Sequence, residues 1–99
     1  MSKFNLIIEH SAEIDINQIA DYIAEDNKKA ALKTVKEIYK GFRLLCSHPN
    51  VGFEREEFTY RKVKFYIVKK HYLVVYTVIK NSIHILRVLT TYQDICTKL

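Results

Sequence analysis

Residues 61–89 read RKVKFYIVKKHYLVVYTVIKNSIHILRVL, and this stretch decides the fold. It contains three runs rich in β-branched and aromatic residues, namely Arg61–Val68, Tyr72–Ile79 and Ile83–Leu89. Runs of this composition are typical of strands. The segments between them, 69–71 and 80–82, are polar and short enough to form hairpin turns. The stretch therefore predicts a meander of three antiparallel strands.

The region before the meander predicts one strand and a first helix. Phe4–Ile8 is a short apolar run without a helical period, which favours a strand. Ser11 offers a side-chain oxygen as the N-cap of a helix that extends to about Glu25. The apolar positions of that helix recur at helical spacing. They are Ala12, Ile16, Ile19, Ala20 and Ile23.

A second helix is predicted to follow the break at Asp26 and Asn27, and to end before Pro49. Its apolar residues step 4-3-4-3 along the chain. They are Ala31, Val35, Ile38, Phe42 and Leu45. Two helices joined by two or three residues pack as an antiparallel hairpin. The element order is thus β-α-α-β-β-β, an α+β fold in which the helix hairpin packs on a mainly antiparallel four-stranded sheet.

Length and composition predict one domain spanning residues 1–99. The apolar fraction of 48% and the charged fraction of 27% are ordinary for a globular protein. No run approaches the roughly 20 consecutive apolar residues that a membrane span needs. The N-terminus has no secretory pattern, so we expect a cytoplasmic protein. Cys46 and Cys96 have neither zinc-site nor disulfide-framework spacing, and Cys46 is expected to be a buried free thiol.

The net charge of +5 is unevenly distributed along the chain. Residues 58–93 contain seven basic residues and no acidic one. They are Arg61, Lys62, Lys64, Lys69, Lys70, Lys80 and Arg87. Residues 28–43 hold six more basic residues against Glu37 alone. A surface of one sign attracts polyanions or acidic protein segments, although lysines also serve solubility alone.

Several kinds of chemical site lack support in the sequence. His10, His48, His71 and His84 have no paired metal-ligand spacing, so no metal is expected. We find no nucleophile triad motif and no glycine-rich phosphate loop, and we expect no cofactor. Aromatic residues alternate with the basic residues of the meander, as in a base-stacking platform, but strand alternation more often reflects packing.

Five segments in order resemble the ParE/RelE toxin superfamily, and together they cover nearly the whole chain. Residues 12–23, AEIDINQIADYI, are similar to the family pattern A..DL..I..YI, and Ala30-Ala31 opens the second helix. Residues 45–52, LCSHPNVG, resemble L..hP..G. Residues 71–76, HYLVVY, resemble Y.I.Y, and residues 83–94 resemble I.IlRV....D. The resemblance implies the toxin of a type II toxin–antitoxin (plasmid stabilisation) system, with an acidic, partly disordered antitoxin as its partner.

The superfamily contains two functional classes. RelE-like members are ribosome-dependent messenger RNA endoribonucleases, whereas ParE-like members inhibit DNA gyrase. Lys62 and Lys64 match the RelE-like Lys-x-Lys pair. Leu73 occupies the position of a catalytic arginine, the second arginine position falls on about Gln93, and the tail has no tyrosine. The resemblance therefore favours a ParE-like gyrase inhibitor that is not an enzyme. A RelE-like nuclease using Lys62, Lys64, His71 or His84, and a non-toxic basic binding module, stay as alternatives.

The resemblance and the charge pattern together suggest two sets of contact residues. The residues expected to face the target are Arg61, Lys62, Lys64, Lys69, Lys70 and Arg87. The residues expected to contact the antitoxin on the helix hairpin are Ile19, Tyr22, Ile23, Tyr39 and Phe42. Arg87 interrupts an apolar strand, so it must face a partner, a carboxylate or water. A structural salt bridge, for example with Asp94, is the alternative role for Arg87.

Overall fold

The computed structural model describes residues 3–54 and 63–90. In chain order the elements are β1 (Asn5–Ile8), α1 (His10–Ala24), α2 (Lys28–Ser47), β2 (Lys64–Val68), β3 (Tyr72–Ile79) and β4 (Ser82–Thr90). The sheet has the order β1-β4-β3-β2. β1 pairs with β4 in parallel, and the other neighbours are antiparallel. The predicted α+β fold is confirmed, with strand ends shifted by a few residues.

The two helices begin in different ways. Asn27 caps α2, because its side-chain oxygen accepts a hydrogen bond from the Ala30 amide at 3.0 Å. The N-cap predicted for α1 was wrong. α1 begins at His10 after Glu9, and no side chain caps it. The Ser11 hydroxyl instead donates to the Leu86 carbonyl at 2.8 Å, so it ties α1 to β4.

Both faces of the sheet carry buried side chains, which explains why the buried run Leu73–Tyr76 of β3 is apolar on both faces. The helix side packs a large cluster in which Ile38, Phe42 and Leu45 of α2 meet Val74 and Tyr76 of β3. A second cluster lies on the opposite face. It contains Val63, Phe65, Leu73, Val75 and Leu89, with Phe53 and Leu86 packed against it.

The segment after α2 is anchored to the sheet by the buried side chain of Tyr76. The Tyr76 hydroxyl donates to the Pro49 carbonyl at 2.9 Å and accepts from the Gly52 amide at 3.0 Å. Burial raises the pKa of Tyr76 above its ordinary value, so the hydroxyl keeps the proton that it donates. Phe53 then exchanges two backbone hydrogen bonds with Phe65 on the edge of β2. The Tyr76 hydroxyl thus holds the segment from Pro49 to Gly52 against the sheet, and we call its two hydrogen bonds the Tyr76 clamp.

The side chains of α1 extend the hydrogen bonding of the sheet where β1 ends. β1 runs beside β4 only as far as Ile85, whose carbonyl accepts from the Glu9 amide at 2.9 Å. Beyond it, the Ser11 hydroxyl bonds to Leu86, and Asp15 Oδ2 accepts from the Val88 amide at 2.9 Å. The pairing with β3 shifts register at the same place, between Val75 and Tyr76. α1 therefore lies against the free edge of β4.

Two further features concern the helices and turns that the structure describes. The described helices include none with both the length and the apolar character needed to cross a lipid bilayer. Lys69, Lys70 and Lys80 have φ values of 55°, 65° and 54° in the two hairpin turns. A left-handed backbone at a residue other than glycine costs about 1–2 kcal/mol. Each of these three turn positions thus holds a lysine in a backbone conformation that is more usual for glycine or asparagine.

Candidate functional site

A groove lies between α1 and the ends of β3 and β4. It has a volume of about 560 Å³. Its lining residues come from three places: α1 from Asp15 onward, the residues where β3 begins, and the end of β4. They are Asp15, Gln18, Ile19, Tyr22, Ile23, His71, Tyr72, Val88 and Thr90. We call this the α1 groove.

The wall of the α1 groove is mainly apolar, with an exposed aromatic ring. Ile19 and Tyr72 are half-buried and pack against the helix-side core, so they fix the inner surface. Tyr22 is 77% exposed, although it is a large aromatic side chain. Aromatic rings with an apolar body and a polar hydroxyl are favoured where one protein docks on another. The groove therefore has the composition of a protein-docking site.

An ion pair closes one end of the groove. Arg87 Nε donates to Asp15 Oδ2 at 2.7 Å, and Arg87 Nη2 donates to Asp15 Oδ1 at 3.0 Å. The Asp15 side chain is only 9% exposed, and the Arg87 side chain is 31% exposed. The hydrogen bonds that Arg87 donates to Asp15 raise the pKa of Arg87. Because Asp15 also accepts from the Val88 amide, it joins α1 to β4 through three hydrogen bonds.

Comparison with known proteins identifies the family. A family profile described as the ParE toxin of the type II toxin–antitoxin system parDE matches residues 6–95. The chain belongs to the ParE toxin family. A solved structure described as the chromosomal ParDE TA system from P. aeruginosa matches with a TM-score of 0.73 and 23% identity. The match covers 89% of this chain and 96% of the other chain, and it shows the same fold. No curated protein sequence matches.

The ParE sequence motifs correspond to structural contacts in this chain. The first-helix motif supplies Asp15, and the fourth strand supplies Arg87, so the two motifs meet in one ion pair. The motif after α2 supplies Pro49 and Gly52, which meet Tyr76 of β3. Asp15, Arg87, Pro49, Gly52 and Tyr76 therefore make structural contacts that hold the elements of this chain together.

The residues predicted to contact the antitoxin do not all lie on the surface. Ile19, Tyr22 and Ile23 of this ParE chain line the α1 groove. Tyr39 is half-buried and meets the Phe42 ring edge-on, with ring centroids 5.3 Å apart. Phe42 is fully buried in the helix-side core. The expectation for Phe42 is corrected on this ground, because its side chain has no exposed surface for a partner.

The residues predicted to face the target are dispersed across the part of ParE that the structure describes. Lys64 lies 3.5 Å from Glu54, and Lys69 and Lys70 are exposed in the β2–β3 turn, roughly 15 Å further along the sheet. Arg87 points to Asp15 at the α1 groove, so its salt-bridge partner is Asp15 on α1. Arg61 and Lys62 lie outside the described residues, as does Asp94.

The candidate nuclease residues of this ParE chain do not converge within the described residues. His71 precedes β3, whereas His84 pairs with Thr77, about 20 Å along the strand. His84 faces away from the helices, since its neighbours Ile83 and Ile85 face them, and its Nδ1 lies 3.4 Å from Glu9 Oε1. Lys64 lies on the helix side, because it alternates with Tyr66 and Val68 of that cluster. Lys62 lies outside the described residues.

Thiol and metal chemistry find little support in the described part of the ParE chain. Cys46 is buried and free, as predicted, and burial raises the pKa of its thiol, which keeps it unreactive. Cys96 lies outside the described residues. Residues 3–54 and 63–90 contain no group of three or more His, Cys, Asp or Glu side chains placed to hold a metal ion.

Sequence reasoning missed several residues of the α1 groove. Gln18, Tyr72, Val88 and Thr90 line it, but none was predicted as a site residue. Asp15 was not predicted as a site residue either. Its position beside Ala12 and Ile16, on the apolar stripe of α1, could have identified it as a buried acid in need of a cation.

Proposed function

We propose that this chain is a ParE toxin that inhibits DNA gyrase in the cytoplasm and is neutralised by a cognate antitoxin. The observation that carries the proposal is the family match over residues 6–95. The candidate nuclease residues that the structure describes lie far apart, which also supports the proposal. A toxin that inhibits an enzyme by binding needs a surface, whereas a nuclease needs an assembled site.

Messenger RNA cleavage would need several groups around one phosphate. Attack by a 2′-hydroxyl requires a base, cationic support for the phosphate and an acid for the leaving oxygen. At the position of one arginine, this chain has Leu73, which is 2% exposed in the second core cluster. Lys64 lies beside Glu54, which neutralises part of its charge. Loss of one transition-state donor commonly costs about 2.7–4 kcal/mol. These observations favour gyrase over the ribosome as the target.

The α1 groove is our proposed site for the antitoxin. Ile19, Tyr22 and Ile23 recur at steps of three and one along α1, so they present one face to the groove. A disordered antitoxin segment could order against this face and place acidic groups near His71 and the lysines of the β2–β3 turn. Coupled folding of this kind costs about 2–5 kcal/mol, which a large apolar contact offsets.

Brief expression in a bacterial host tests the proposed activity. We expect growth arrest with relaxed or broken reporter-plasmid DNA, and with messenger RNA 5′ ends unchanged. Co-expression of a cognate antitoxin should restore both growth and supercoiling. If messenger RNA is cut in frame while plasmid supercoiling stays normal, and if a Lys64→Ala variant no longer cuts it, the chain is a nuclease and the proposal is wrong. The absence of any arrest would favour a non-toxic binding module.

Substitution of Tyr22 tests the antitoxin site. We expect Tyr22→Ala to weaken the antitoxin complex by about 2 kcal/mol, or roughly thirtyfold in Kd, because buried aromatic anchors dominate such interfaces. Leu32→Ala is the matched control, since Leu32 is a 65% exposed apolar residue on α2 that does not line the groove. Isothermal titration of each variant with the antitoxin measures the effect. A larger loss in Leu32→Ala than in Tyr22→Ala would place the antitoxin elsewhere.

A further inference from the structure

The outer face of α2 carries five cations in a single row. Lys29, Lys33, Lys36, Lys40 and Arg43 follow one another at steps of 4-3-4-3, so they lie on one face of the helix. All five are exposed, opposite the buried face that contains Ile38 and Phe42. At 1.5 Å per residue the row is about 21 Å long. We call this row the α2 basic stripe.

The stripe has no ion-pair partner in the part of the chain that the structure describes. The ion pairs found there join Lys64 to Glu54, His84 to Glu9, and Arg87 to Asp15. Like charges three or four residues apart destabilise a helix by about 0.2–0.5 kcal/mol per pair. Four successive pairs of this kind occur along the stripe, with Glu37 as the nearest acid on α2. The α2 basic stripe therefore contains an electrostatic repulsion between its cations, which replacing a few of them with glutamate would remove.

The stripe continues into a second groove, between the C-terminal half of α2 and β2. This groove has a volume of about 550 Å³, and its basic lining residues are Lys3, Lys40, Arg43 and Lys69, with Glu37 as its acid. Gly41 permits the close approach of α2 to β2, because a Cβ atom there would lie 2.9 Å from Val68 Cγ2. The two features form one cationic surface along α2.

We propose that the α2 basic stripe binds the phosphate backbone of a nucleic acid. This binding surface is separate from the α1 groove and goes beyond the proposed toxin function. Each strand of a duplex carries one phosphate for about every 3.4 Å of helix axis, so the stripe is long enough to reach several phosphates. An acidic protein segment fits less well, because such segments dock through apolar anchors. The stripe offers Leu32 and Leu44 at its margins, whereas the apolar anchoring surface lies in the α1 groove.

Fluorescence anisotropy with labelled 20-base-pair DNA and RNA duplexes tests this proposal on the full chain. We expect binding to both duplexes, with log K falling against log [KCl] at a slope of about −4, as neutralisation of four or five phosphates predicts. Lys36→Glu should weaken binding roughly tenfold at 100 mM KCl and reduce the slope by about 1. The triple variant Lys33→Gln, Lys36→Gln, Lys40→Gln keeps good helix formers and should abolish measurable binding.

Lys80→Glu is the matched control. It changes the net charge by the same two units, but Lys80 lies in the exposed β3–β4 turn and is part of neither the α2 basic stripe nor the lining of the second groove. We expect the duplex affinity of Lys80→Glu to stay within twofold of that of the unmodified chain. Thermal melts followed by circular dichroism should be unchanged for each variant. Equal losses of duplex affinity in Lys36→Glu and Lys80→Glu would overturn the proposal, because the nucleic acid would then be attracted by the overall charge of the protein and not by the stripe. Displacement of DNA by polyglutamate at equal charge concentration would also overturn it, in favour of an acidic protein partner.

Discussion

Asp15→Ala is expected to lower the free energy of unfolding by about 3 kcal/mol, the lower end of the range for breaking a buried ion pair, because the Arg87 side chain is 31% exposed. The substitution leaves the Arg87 guanidinium without its carboxylate and the buried Val88 amide without an acceptor. It also separates α1 from the free edge of β4. Urea unfolding, followed by circular dichroism, measures the loss. Glu13→Ala is the control, because Glu13 is exposed two residues away on the same helix, and its change should stay within about 0.5 kcal/mol.

A second variant separates the charge from the hydrogen bond. Asp15→Asn keeps one oxygen that can accept from the Val88 amide, so it should destabilise less than Asp15→Ala does. Replacing both partners, as in Asp15→Leu with Arg87→Met, should recover part of the loss, since no uncompensated charge then remains. If Asp15→Ala and Arg87→Met were additive in the double-mutant cycle, the two residues would not be coupled, and the proposed role of the pair would be wrong.

Local sequence patterns were sufficient to predict most of the fold. Asn27 before the apolar stripe of α2 predicted the helix start, and Pro49 predicted its end, because each acts within a few residues of itself. β3 was predicted at the observed bounds, Tyr72–Ile79, since polar turns flank its β-branched run. Ser11 shows where this reasoning failed. Its hydroxyl bonds to Leu86, 75 residues away, and this tertiary contact replaced the expected cap.

The candidate site could be predicted only in part, because it depends on contacts between distant segments. Ile19, Tyr22 and Ile23 were predicted because the resemblance implies that an antitoxin contacts the helix hairpin, and they line the α1 groove. The burial of Phe42 depends on the depth of α2 against the sheet, which periodicity does not give. The ion pair of Arg87 was foreseen as an alternative, but with Asp94. Pairing with Asp15 requires that α1 lie on the free edge of β4, and no local pattern specifies that edge.

Gly52→Ala is expected to cost about 3 kcal/mol or more, for a steric reason alone. Gly52 has a negative φ, so alanine can adopt its backbone conformation without strain. A Cβ atom at this position would, however, overlap the Tyr76 hydroxyl and lie 2.8 Å from the Phe65 carbonyl oxygen. Overpacking of this kind costs about 1–3 kcal/mol, and displacing the hydroxyl leaves buried groups unpaired at a further 1–3 kcal/mol. Urea unfolding of Gly52→Ala measures the sum.

Two comparisons decide whether disruption of the Tyr76 clamp causes the destabilisation expected for Gly52→Ala. Gly41→Ala is the matched control, because its Cβ meets only side-chain atoms, and alanine in a helix gains about 1 kcal/mol over glycine. Part of this gain is offset because the Cβ would lie 2.9 Å from Cγ2 of the buried Val68, so the net loss should be smaller than that of Gly52→Ala. Tyr76→Phe removes the hydroxyl that both Pro49 and Gly52 use, so Tyr76→Phe and Gly52→Ala together should cost less than their sum. Strict additivity would mean that Gly52 acts through the Phe65 backbone alone, and the hydroxyl clamp would then not explain why glycine is needed.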